Sequence, residues 1–336
     1  MAMTLRYREA QGTSRDPDIE RAKGVAIVLV VLGHVVAREL PPGNEWFAAV
    51  KWAIYGFHMP FFLFLSGYTF SRSGFVAQSR VDFPLYLSSR SRRFLPPYLI
   101  FALIVFCAKF VGQKFLHVDQ SVSGFENFFG IFLFPTVSVV SFLWYIWVLY
   151  LLQVLFPILL RIINSPLFWC LLACPLTLVS LPYWFGIDKL GAFGFFFFVG
   201  YIFSENKGAY IDILERYWKV FLVCFIILLF VIDAPRDRLM TLILGSFSIP
   251  AIHGLCRFGV LSQSSILAVI GGFSFSIYLM NTMAIGATKG VLLMFLDWGG
   301  PNFFFVLPIL LIAGIAAPVF LKVVILNRVG WLRRIS

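Results

Sequence analysis

Apolar runs of 15 to 24 residues recur from one end of this chain to the other, separated by shorter polar or charged stretches. A helix rises ~1.5 Å per residue and a bilayer's hydrocarbon core is ~30 Å thick, so about 20 apolar residues cross it. The pattern predicts ten membrane-spanning helices, at 24–40, 47–70, 95–112, 141–161, 166–184, 190–204, 218–233, 239–256, 265–288 and 303–326. Pro157, Pro175, Pro250, Pro308 and Pro318 fall inside spans, where a kink is tolerated if the freed carbonyl finds another partner. The stretch 126–140 is apolar but broken by Pro135, which predicts an interfacial or re-entrant piece rather than an eleventh span. The fold class is therefore all-α, a polytopic membrane protein with about ten transmembrane helices. A basic leader (1–23) and a basic tail (327–336) flank the membrane domain (24–326).

Composition supports this. The chain is 60% hydrophobic and only 13% charged, against roughly 25% charged in an ordinary soluble domain. Charge then orients it. Ten spans put both termini on one side, and that side collects 19 of the 27 Lys and Arg residues. Such asymmetry predicts cytoplasmic termini. The net charge of +11 is therefore a topology signal, and nucleic acid is not expected as a partner. Trp46, Trp52, Trp144, Trp147, Trp184 and Trp298 cluster near predicted outer ends, as an interfacial aromatic belt would. No small-residue cleavage site follows the first apolar run, so the first helix is expected to stay. The five cysteines lie in or beside apolar runs with no Cys-x-x-Cys pair, which predicts buried thiols and neither a disulfide frame nor a metal site.

Few residues in the spans could carry chemistry. His34 lies eleven residues after Lys23, roughly 16 Å along a helix, which places an imidazole near the bilayer midplane. His58 descends in the next span to a similar depth. Ionisable groups so deep are costly and mark function by default, so the two histidines form a candidate catalytic or proton-relay pair. The plainer alternative for His58 is a hydrogen bond to a carbonyl freed by Pro60. Ser66-Gly67-Tyr68 reads as a packing surface, because Ser66 lies ~12 Å from His58 along the helix, too far for an activated nucleophile. Arg90, Arg92 and Arg93 stand in a loop just before the third span. They read either as membrane anchors or as guanidinium forks for a phosphorylated ligand. Asn281 is a rare polar residue deep in a span, with Tyr278 on its face. His253 and His117 are assigned no role. No P-loop, zinc-protease motif, dinucleotide fingerprint or nucleophile elbow occurs.

Lys23-Gly24 with His34, Phe57-His58-Met59-Pro60-Phe61-Phe62 with Ser66-Gly67-Tyr68, and Arg90-Ser91-Arg92-Arg93-Phe94-Leu95-Pro96-Pro97-Tyr98 together resemble the acyltransferase-3 family of membrane O-acyltransferases. Phe142-Leu143-Trp144-Tyr145 and Ser274-Phe275-Ser276-Ile277-Tyr278-Leu279 resemble later motifs of that family. The form of these motifs is most similar to the branch of fucose 4-O-acetylases and exopolysaccharide acetyltransferases. Two positions depart from the common pattern: many members carry Arg where Lys23 stands and His where Asn281 stands.

The resemblance implies a multi-pass enzyme of the cell's inner (plasma) membrane. It implies transfer of acetyl from cytoplasmic acetyl-CoA, a cosubstrate rather than a tightly bound cofactor, to a sugar hydroxyl of a surface or exported polysaccharide or its precursor. On that reading His34 is the base for the acceptor hydroxyl, or relays acetyl through a covalent intermediate, and His58 assists it. Lys23, Arg90, Arg92 and Arg93 hold the CoA phosphates, with Arg72 a weaker candidate. No metal is expected. The competing class is a proton-coupled transporter or glycan exporter, although neither paired repeats nor matched broken helices are evident.

Overall fold

The computed structural model describes residues 16–36, 39–114, 122, 124, 126–231 and 237–328. The leader arginines Arg6, Arg8 and Arg15, the tail arginines Arg333 and Arg334, and His117 lie outside the described residues. Among the described residues thirteen α-helices follow in order: α1 (Pro17–Val35), α2 (Trp46–Arg72), α3 (Phe75–Val81), α4 (Phe83–Gly112), α5 (Glu126–Leu133), α6 (Trp144–Ile162), α7 (Pro166–Leu176), α8 (Ile187–Glu205), α9 (Lys207–Val231), α10 (Arg238–Arg257), α11 (Ser265–Gly272), α12 (Ser274–Leu292) and α13 (Phe303–Leu321). Among the described residues there is no strand.

Local chemistry sets several starts. Asp82, Ser165, Asp237 and Ser264 each accept a hydrogen bond from a backbone N–H in the first turn of α4, α7, α10 and α11, satisfying donors that have no helical partner. Proline stands in the first turn of α1, α4 and α7, where its missing N–H costs nothing.

Six helices among the described residues are long and apolar enough to cross a membrane, and a seventh if one bent pair counts as a single span. The other predicted spans differ for identifiable reasons. Helix α1 carries Asp18, Glu20, Arg21 and Lys23 in its first two turns, and α9 carries Glu215, Arg216 and Lys219. Helix α7 has only 11 residues, or ~16 Å. The ninth predicted span is broken into α11 and α12, which meet at 81°. Helix α5, with eight residues, is far too short to cross, in keeping with an interfacial or re-entrant piece.

The third predicted span begins early, at Phe83 rather than 95. The Asp82 cap and Pro84 start the helix before the arginines, so Arg90, Arg92 and Arg93 stand on α4 instead of in a loop. Helix α1 in turn ends at Val35, five residues before the predicted boundary, which puts His34 in a last turn.

Helix α1 packs against α2, α10, α11, α12 and α13. Two crossings are main chain against main chain. A Cβ on Gly24 would lie 2.1 Å from the Leu267 carbonyl oxygen of α11, and one on Gly271 would lie 1.8 Å from the Glu20 oxygen of α1. Where α2 crosses α8, a Cβ on Gly67 would meet the Phe197 oxygen at 1.9 Å and one on Gly200 the Phe64 oxygen at 2.0 Å. Only glycine permits such approach, which is how membrane helices gain packing without a hydrophobic drive between them.

The start of α1 is held by ions. Asp16 pairs with Arg72 of α2 and, at 3.0 Å, with Lys207 of α9. Asp18 is buried and accepts from Arg257 at 2.6 Å and from Nε2 of His253 at 3.3 Å, both on α10. Tyr210 of α9 reaches Nδ1 of the same imidazole at 2.8 Å. Burial alone would raise the Asp18 carboxyl, but the bonds from His253 and Arg257 outweigh it and hold the group well below the usual carboxylate range.

Candidate active site

His34 occupies the last turn of α1, where backbone carbonyls lack helical partners. Two side chains of α2 supply them. The Tyr55 hydroxyl donates to the Gly33 carbonyl at 3.2 Å, and the Lys51 ammonium donates to the Val36 carbonyl at 2.7 Å. The turn that carries His34 is thereby fixed to α2.

The imidazole is half-buried, and its Nδ1 lies 2.8 Å from Oδ1 of Asn281 on α12. Asn281 is fully buried, and its Nδ2 donates to the carbonyls of Ile277 at 2.9 Å and Tyr278 at 2.8 Å. Those two bonds use both amide hydrogens and leave Oδ1 facing the ring. An amide oxygen only accepts, so Nδ1 carries the hydrogen in the neutral ring and Nε2 carries the lone pair. A neutral histidine held in this tautomer can act as a general base through Nε2.

His58 is buried on α2, with Nδ1 2.7 Å from the Ile54 carbonyl. The carbonyl that Pro60 deprives of a helical donor is that of Gly56, so the bond is to a different group. Tyr55 connects the two histidines: its hydroxyl bonds the Gly33 carbonyl beside His34, and its ring meets the His58 ring edge-on at 5.1 Å.

A cavity of about 90 Å³ is lined by Lys23, Phe62, Ser66, Tyr145, Ser274, Phe275 and Tyr278, among others. Lys23 pairs with Glu20 at 3.0 Å. The break between α11 and α12 brings the start of α12, the positive pole of its dipole, to the cavity at Ser274 and Phe275. Ser66 donates to the Phe62 carbonyl at 2.9 Å, and the Tyr145 hydroxyl lies 2.6 Å from Ser66 Oγ. Since the serine hydrogen is engaged, tyrosine is the donor of that pair and Ser66 has no base to activate it. Tyr278 lines the cavity while its carbonyl holds Asn281, so cavity and imidazole share a wall.

The arginines separate. The Arg93 guanidinium lies 4.7 Å over the ring of Phe275, a cavity residue. Arg90 is buried, 3.5 Å over the Phe75 ring, with Nη2 donating to Ser89 at 3.1 Å. Arg92 is exposed. Arg72 is engaged with Asp16. Sequence reasoning had no signal for Lys51 or Tyr55, or for His253 as a partner of Asp18.

Comparison with known proteins gives a consistent picture. A family model described as an acyltransferase domain, acyltransferase-3, matches residues 16–325. "Nodulation protein NolL" of Sinorhizobium fredii is 28% identical over 228 residues, covering 65% of this chain and 58% of that protein. The protein of the same name from Mesorhizobium japonicum is 24% identical over 221 residues, covering 65% and 56%. The chain thus matches somewhat more than half the length of these curated relatives. No solved structure matches.

Proposed function

Because the chain belongs to the acyltransferase-3 family, we propose that it is a membrane O-acyltransferase moving acetyl from cytoplasmic acetyl-CoA to a sugar hydroxyl of a surface or exported polysaccharide or its precursor. It crosses the plasma membrane ten times with both termini in the cytoplasm. The observation that carries the reading is the fixed tautomer of His34, with Nδ1 committed to Asn281.

In this mechanism Nε2 of His34 takes the proton of the acceptor hydroxyl as its oxygen attacks the thioester carbonyl. The tetrahedral intermediate collapses with loss of the CoA thiolate, which receives the proton back from the imidazolium. Nδ1–H stays on Asn281 throughout. His58 assists from the neighbouring helix. Lys23 and Arg93, with the dipole of α12, draw the phosphates of the donor towards the cavity. Arg90 and Arg92 contribute positive charge on the same helix as Arg93.

Proteoliposomes given labelled acetyl-CoA and the cell's own glycan test the reading. The enzyme releases CoA and labels the glycan, and His34→Ala does neither. A proton-coupled transporter, for which the bend between α11 and α12 is a supporting feature, would move solute and leave the thioester intact.

A further inference from the structure

At the end of the bundle away from Asp16 and Asp18, the loop joining α1 to α2 meets the loop joining α12 to α13. Gly300 N donates to the Pro42 carbonyl at 2.8 Å, and Asn44 Nδ2 donates to the Gly300 carbonyl at 2.9 Å. Asn44 is 1% exposed and also accepts from the Trp46 indole at 3.1 Å. Gly300 takes a φ of 57°, a conformation that favours glycine. The two loops form one fixed platform.

Between them opens a groove of about 770 Å³, within the size range of clefts that hold small ligands. Among the described residues its lining includes Glu39, Asp297, Trp298 and Asn302. Trp298 is held in place: the Lys289 ammonium lies 3.7 Å over its ring, and Phe303 meets it edge-on with centroids 5.5 Å apart.

We propose that this groove binds the acceptor as a neutral or amino-bearing oligosaccharide, with Trp298 as its stacking platform and Glu39, Asp297 and Asn302 as partners for its hydroxyls. The proposal rests on the acyltransferase reading above. Pyranose rings present C–H faces that pack on the electron-rich face of an indole. Their hydroxyls donate to carboxylates in charge-assisted bonds. Among the described residues two carboxylates of the lining stand against the single ammonium of Lys289 on Trp298, a balance that disfavours acidic sugars and phosphodiesters. Position agrees with chemistry. Glu39 follows His34 by five residues, at most ~18 Å of chain, so the lining residue Glu39 lies within that reach of the end of α1 that carries the base.

The test uses the full chain in proteoliposomes, labelled acetyl-CoA, and oligosaccharides released from the surface glycan of a strain lacking this protein. Trp298→Ala is expected to raise the KM for those oligosaccharides roughly tenfold or more, with kcat and the KM for acetyl-CoA within about twofold. Trp298→Phe should recover much of the loss. Asp297 is exposed, so Asp297→Asn spares the fold and should raise the same KM. An unchanged oligosaccharide KM in both variants, with His34→Ala inactive, overturns the groove alone. Absence of labelled product from the unaltered protein overturns the groove and the acyltransferase reading together. Preference for carboxylate-bearing over neutral oligosaccharides also overturns the proposal.

Discussion

Asn281 presents its amide oxygen, not its nitrogen, to Nδ1 of His34, at 2.8 Å. The orientation is imposed from the other side, where the Ile277 and Tyr278 carbonyls accept both amide hydrogens. Asn281→Leu keeps the bulk and removes the acceptor. It is expected to lower kcat by about 10- to 100-fold, ~1.4–2.8 kcal/mol of barrier, with the KM for acetyl-CoA unchanged. Steady-state turnover of labelled acetyl-CoA reads both numbers, and an unaltered kcat would remove Asn281 from any role in orienting the base.

The two histidines should differ in weight. His34→Ala is expected to cost 10²- to 10⁴-fold or more in transfer, on the order of a lost general base. His58 spends its Nδ1 on a carbonyl of its own helix, so His58→Gln should retain more activity than His34→Gln. Acetyl content of the cell's glycan by NMR, at matched membrane expression, ranks the two. Equal losses would make them a single relay unit.

Lys23 lines the cavity from α1 and the Arg93 guanidinium of α4 lies over Phe275 of that lining, whereas Arg92, exposed like Arg93, is its neighbour on α4. Lys23→Ala and Arg93→Ala should each raise the KM for acetyl-CoA by about 3- to 30-fold, as expected for losing one charged partner, and Arg92→Ala by less. A concentration series in membranes separates them. An effect of Arg92→Ala as large as that of Arg93→Ala would remove the Arg93–Phe275 contact as the feature that places the phosphates.

The ionic clasp on α1 predicts stability rather than rate. Asp18→Asn leaves Arg257 and His253 without their carboxylate and should destabilise the protein by about 3–5 kcal/mol, seen as a lower unfolding temperature in detergent. The carboxyl sits below its ordinary range in the folded chain. Its contribution is therefore fully present above the ordinary carboxylate value and is lost only as pH falls below it. Loss of stability near neutral pH would have another source.

Much of this was legible in the sequence because polar groups in apolar runs are conspicuous. His34, His58 and Asn281 could be picked out one by one, and Gly67 sat in a stretch read as a packing surface. Their partners could not be read. Asn281 lies 247 residues from His34, and Asp18 lies 235 from His253. Period and composition carry no information on pairings over such separations. Helix bounds failed where local chemistry overrode apolar length: the Asp82 cap began α4 early and drew the arginines onto a helix. The break between α11 and α12 falls within one continuous apolar run, so hydropathy reads the two as one span.

The packing of α1 has a consequence for biosynthesis. Four of the five helices around it, α10 to α13, are made from residues 238–321, some two hundred positions later. At ~5–20 residues per second, the nascent first helix waits on the order of tens of seconds before Leu267 and Gly271 can reach Gly24 and Glu20. Throughout that interval Asp18 lacks its partners on α10, and His34 lacks Asn281. A chain cut short before α10 would still insert several apolar helices, yet would hold no assembled site. The last third of translation is thus the step on which activity depends, and the step at which a membrane quality-control protease would meet an unclasped first helix.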